Sequence, residues 1–172
     1  MSYNLPTIAA TLAAIRGRLV AAEWQSTPAF GEVTIFEAAD LPRAMERFIS
    51  SAPRLCFVVY TGDTFDGIEQ GQRYGIGPDL KLHRGISLLV SDRWVENVTY
   101  AMQGTEDNPG AYALAEIAIG AIGGRIQDGP PAVFVTPKSV TPIAVAESEN
   151  EPGRGGVEVV LECWTDWRQL TA

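Results

Sequence analysis

Ile8, Leu12, Ile15 and Leu19 recur at intervals of four, three and four, the spacing of one apolar face of a helix. Asn4 stands as its candidate cap and Pro6 falls in its first turn. Arg16 and Arg18 flank the stripe, and the Ser26-Thr27-Pro28 segment marks the latest point at which the helix can end. The β-branched and aromatic run from Glu32 to Glu37 predicts a first strand. Asp40 and Pro42 then open a second helix whose Leu41, Ala44, Met45, Phe48 and Ile49 share one face. The unbroken apolar run Leu55 to Tyr60 reads as a central strand.

From Thr61 to Pro78 the periodicity lapses among five glycines, which predicts a long mobile loop. Strand character returns over 79–90, with a bend expected near Gly85. The segment 91–102 fits a helix or a strand equally well. Asp107-Asn108-Pro109 starts the clearest helix, with Tyr112, Ala115, Ile119, Ile122 and Ile126 on its apolar face. Gly120, Gly123 and Gly124 lower its intrinsic helicity and allow close packing. Beyond Gly129-Pro130-Pro131 come a strand over 132–136 and a hairpin of 140–146 with 157–164, joined by a polar mobile loop over 147–156. In its last strand Val157, Val159, Leu161 and Cys163 face one way, while Glu158, Val160, Glu162 and Trp164 face the other.

These elements predict one α+β domain over residues 1–172, a single mixed or antiparallel sheet of about five strands with two to three helices packed on it. Leu12, Ile15, Phe48, Phe57, Val59, Leu88, Ile119, Ile122, Val159 and Leu161 are expected to be buried in one cluster. With 172 residues, 46% of them hydrophobic, the chain can fill one continuous core.

A net charge of -8 opposes tight binding to nucleic-acid phosphates. The N-terminus shows no secretory pattern and no apolar run reaches a membrane-spanning length, so a soluble intracellular protein is expected. Cys56 and Cys163 lie inside strand-like runs and read as small buried hydrophobes, giving no support for a disulfide or a metal.

Catalytic patterns are sparse. The single histidine, His83, sits between cations in a strand, and there is no nucleophile elbow. The glycines of 71–77 match neither a dinucleotide fingerprint nor a phosphate loop, and Asp63, Asp66 and Glu69 do not have calcium-loop spacing. Glu158, Glu162 and Asp166 read as solubilising strand charges. The expectation is binding and assembly without catalysis or cofactor. Trp164, Trp167 and Arg168 near the C-terminus, and Asp63, Asp66, Arg73 and Tyr74 around the long loop, are the candidate interface residues.

The order of elements, together with Arg54 to Gly62, Ser87 to Val90, Ala111 to Leu114 and the closing Val157 to Trp167, resembles the Mu-like bacteriophage minor-tail family, which is similar to lambda-type tail terminators. That resemblance implies a tail-terminator-like fold and a protein that forms a ring with copies of itself, six by family likeness. Such a ring would cap the tail tube and meet the head connector, in the virion tail and, during assembly, the host cytoplasm. Its acidic lumen would let DNA pass without adhering. Two other readings stand beside it: a small adaptor or binding protein, and a small hydrolase in which His83 lies beside Asp63 or Asp66.

Overall fold

A computed structural model describes residues 7–37, 54–66, 81–93, 98–127, 133–145 and 154–166, together with Arg43. In chain order these form α1 (Ile8–Val20), β1 (Glu23–Trp24), β2 (Thr27–Pro28), β3 (Glu32–Glu37), β4 (Arg54–Asp66) and β5 (Lys81–Arg93). Then follow α2 (Val98–Gln103), α3 (Gly110–Ile122), β6 (Gly124–Gln127), β7 (Val133–Val145) and β8 (Arg154–Asp166). The α+β class holds. The expected second helix over 41–49 lies outside the described residues except for Arg43, which is helical and exposed.

β3 to β8 form one mixed sheet of six strands in the order β3-β4-β5-β8-β7-β6, one more than the sequence suggests. β3 and β4 are parallel and every other pair is antiparallel. β1 and β2 make a separate ribbon, closed by Gln25 and Ser26 at positive φ (48° and 64°), so the chain after α1 turns back on itself.

Four strands are each 13 residues long, and their length corrects several expectations. Thr61 to Asp66 continue β4 instead of starting a loop, and Arg154 to Gly156 already belong to β8. The segments 132–136 and 140–146, expected as two strands, are joined in β7 through an irregularity between Pro137 and Ser139. Near Gly85, where a bend is expected, Gly85 faces Gly62 and the β4–β5 register shifts. A side chain at 85 would collide with the Thr61 hydroxyl. Within 91–102, Ser91 to Arg93 finish β5 and Val98 onward is helical.

The sheet separates two apolar clusters, where the sequence suggests one. On the helix side Leu12, Ile15, Leu88, Ile122, Val159 and Leu161 pack together, with Ile119 partly buried against them. On the opposite side Phe57 and Val59 join Phe36, Leu55 and Leu89. The cause is strand alternation: Phe57 and Val59 are out of phase with Cys56 and Val58, which face the helices. Phe48 lies outside the described residues. The alternation in β8 is as expected, with Val157, Val159, Leu161 and Cys163 no more than 2% exposed.

α1 starts at Thr7, whose hydroxyl accepts from the Ala10 amide at 3.1 Å, and buries Thr11, Leu12, Ile15 and Leu19. It packs against β3, β4, β6 and α3, so it touches both outer strands of the sheet. The Arg16 Nε donates to the Val33 carbonyl on β3 (3.1 Å) and the Arg18 Nη2 to the Arg125 carbonyl on β6 (2.7 Å). Two residues apart on a helix, these side chains leave on opposite flanks of the buried stripe. The sheet therefore curls around α1, and one helix reaches both of its edges.

α3 is rotated from the expected stripe: Ala111, Leu114, Ala115, Ala118 and Ile122 are buried, while Tyr112 is 41% exposed. Pro109 at its N-terminus offers no side-chain cap, and the Asp92 carboxylate of β5 accepts from the Gly110 amide instead (3.1 Å). Gly110 has φ +72°, and a Cβ there would strike the backbone of Gly104. Gly155 of β8 lies so close to α2 that a Cβ would meet the Met102 sulfur at 2.7 Å.

Asp92→Ala removes the cap of α3 and is expected to lower stability by about 1–2 kcal/mol in denaturant unfolding. Asp92→Asn keeps an acceptor and should lose less; an equal loss would assign the effect to the charge.

Candidate functional site

Polar chemistry gathers at two places, one on each face of β5. On the helix side, Leu82, Arg84, Ile86 and Leu88 share a face, so Arg84 is directed inward and only 6% exposed. Its guanidinium holds Asp63, its cross-strand partner on β4, through Nε–Oδ1 (3.0 Å) and Nη2–Oδ2 (3.1 Å). Nη1 donates to the Thr11 hydroxyl of α1 at 2.9 Å. One side chain thus ties β4, β5 and α1 together. Tyr60 stands beside this node; burial, then the neighbouring Asp63 carboxylate, push its phenol above the ordinary value. Thr11, Arg84, Cys163 and Thr165 line a shallow, open cleft. Burial pushes the Cys163 thiol up to about 12, so it is no ready nucleophile there. Cys56 is buried and its thiol is also pushed up by burial; both cysteines are free.

On the other face His83 Nδ1 lies 3.3 Å from Glu162 Oε1, and Lys138 Nζ lies 2.7 Å from Glu162 Oε2. The Lys138 hydrogen bond is the main cause that lowers the Glu162 pKa. Farther along, Ser87 donates to Glu158 at 2.9 Å. Trp164, the cross-strand neighbour of His83, stacks on Phe134 with ring centroids 4.6 Å apart. The carboxylates of β8 are thus cross-strand partners of hydroxyl, imidazole and ammonium groups.

Two candidate interface residues have partners inside the subunit. Asp63 is the carboxylate of an internal ion pair, and Trp164 is partly buried in a stack. Asp66 ends β4 opposite Lys81. Arg73, Tyr74, Trp167 and Arg168 lie outside the described residues, so no interface made of these candidates comes together here. Nor does the hydrolase pairing of His83 with Asp63: they occupy opposite faces of the sheet, and the carboxylate beside His83 is Glu162. Among the described residues no group of three or more His, Cys, Asp or Glu is placed to hold a metal ion, and no helix is long and apolar enough to cross a membrane.

Arg84 and Asp92 were missed, yet both carry a signal. Each falls in phase with buried positions of β5, and a charge at such a position requires a partner. The sequence shows Arg16 and Arg18 only as flanks of a stripe, because the carbonyls they reach are distant in sequence. No family model matches the chain, and no curated protein does.

Breaking the buried pair from one side should cost far more than replacing it. Asp63→Ala leaves the Arg84 cation buried without its carboxylate and is expected to lose about 3–5 kcal/mol, while Asp63→Leu with Arg84→Met should lose much less. Equal losses in denaturant melts would show that the charges are not what the node depends on.

The Glu162 pair is half-exposed, so its contribution is under about 1 kcal/mol. Its folded pKa lies below the ordinary 4.5, so the contribution is complete above that value and is lost as pH falls through the folded pKa. In Lys138→Met, an NMR titration of the Glu162 carboxyl should move back up toward the ordinary value.

Proposed function

We propose that this chain is a structural tail protein of a long-tailed bacteriophage or prophage, a tail terminator that closes as a ring on the tail tube and joins it to the head connector. The outer half of β7 carries the reading. Every residue from Thr136 to Pro142 is exposed, although β7 is paired to β8 along this length. By register Pro137, Val140 and Pro142 stand opposite Leu161, Val159 and Val157, on the face that forms the helix-side core. Val159 is 0% exposed and Val140 is 48% exposed. The core face therefore runs on into solvent as an apolar strip, the mark of a surface that meets another protein.

The same strand resists backbone pairing. Pro137 and Pro142 supply no amide donors, and a proline in a strand paired on one side turns its nitrogen to the open edge. Contact here is made through side chains, without fusion of sheets. The order of elements and the family likeness supply the tail reading, and the net charge of -8 suits a ring through which DNA slides. In this reading the chain is not an enzyme: His83, Glu162 and Lys138 serve as a cross-strand polar ladder.

Labelled protein in purified virions should mark the head-proximal end of the tail in electron micrographs. Val140→Asp should leave the melting temperature within a few degrees of the parent and reduce tail joining at least tenfold. A tail label elsewhere, or none, with Val140→Asp behaving as the parent, would overturn the assignment.

A further inference from the structure

Four of the five large hydrophobic side chains exposed among the described residues lie on helices: Ile8 and Val20 on α1, Tyr100 on α2 and Tyr112 on α3. α3 packs against both α1 and α2, so these helices form one continuous layer. On α1 the solvent face is Ala13, Gly17 and Val20, all exposed; on α3 it is Tyr112, Glu116 and Gly120, also exposed. Among the described residues no close packing requires the two mid-helix glycines. A Cβ at Gly17 or Gly120 would meet nothing within 4 Å, and neither has positive φ, while glycine lowers the helicity of both elements.

Charge divides across this layer. Arg16 and Arg18 are the only charged residues of α1, whereas Glu116 is the only one of α3, and the turn before α3 carries exposed Glu106 and Asp107. Both arginines direct hydrogen bonds inward to Val33 and Arg125 carbonyls, which leaves the crest of α1 apolar with positive charge on its flanks. One side of the layer is basic and the other acidic, so the surface is complementary to itself. Elsewhere a chain of net charge -8 repels its own copies; here the α1 side of one can oppose the α3 side of the next.

We propose that a second copy of this chain docks on the outer face of the helical layer, α1 of one subunit packing on α3 of its neighbour, with Gly17 and Gly120 allowing the helices to approach closely. The proposal rests on the assembly reading for the existence of contacts between copies, and it assigns the lateral contact to the helices and leaves β7 for other tail proteins.

The test is sedimentation of the full-length chain over a range of concentrations, with Gly17→Gln, Ala13→Glu and Glu116→Arg. Gly17→Gln should raise the melting temperature of the free subunit and yet weaken self-association at least tenfold, a combination that damage to the fold cannot produce. Ala13→Glu and Glu116→Arg should each weaken association, and an equimolar mixture of the two should restore it, since the carboxylate introduced on α1 of one then faces the guanidinium introduced on α3 of the other. Association untouched by all three variants would overturn the helical interface while leaving the tail assignment standing. Absence of association at every concentration, together with no ring on tails, would overturn both. Loss in the single variants without rescue in the mixture would overturn the α1-to-α3 pairing.

Discussion

An open sheet has two edges, and the way they are closed governs the rest of this fold. The six strands curl until the outer strands β3 and β6 both reach α1, and the arginines on the two flanks of that helix take a carbonyl from each. Such side-chain-to-backbone bonds blunt edges that would otherwise invite strand addition. They also fix which way α1 faces: with Arg16 and Arg18 committed sideways, Leu12, Ile15 and Leu19 must point into the curl. Where β7 runs past β6 beyond reach of α1, prolines replace arginines as the protection.

Within that frame β5 distributes the chemistry. Its even positions from Leu82 to Val90 enter the helix-side core, and Arg84 among them needs the carboxylate that Asp63 presents from the neighbouring strand. Taking this pair from water offsets much of its attraction, so its worth lies in locking register more than in net stability. The lock falls beside the Tyr60/Gly62 irregularity, where pairing alone specifies register least. The odd positions His83 and Ser87 meet Glu162 and Glu158 on the other face, where partial exposure lets charges be paired cheaply.

Period-2 and period-3.6 patterns made α1, β3, the start of β4 and the alternation of β8 legible from sequence. Strand length was not. Gly62, Pro137 and Gly155 lie where the sequence pattern lapses, whereas each sits inside a strand, at a register shift or beneath a close-packed helix. Phase against a second layer was also hidden: nothing local to Phe57 and Val59 says that the face opposite the helices is buried as well. Asp63 belongs to β4 and not to a loop, because a polar residue beyond an apolar run looks like loop until the facing strand supplies its cation.

These features together bear on how contacts with other molecules can be made. Backbone pairing at an edge is strong, unselective and available to any strand, including one from a misfolded neighbour. In the tail-terminator reading proposed above, a subunit that joins only at one end of a completed tube would gain from removing that route. What remains is side-chain surface: the apolar strip of β7 and the charge-divided crest of the helices, each modest in area. Individually weak contacts of this kind would leave a subunit largely free at low concentration, and they gain strength when several are offered at once by neighbours already held in place. In that reading the arginines and prolines that close the sheet would also make assembly conditional on the geometry of what is already assembled.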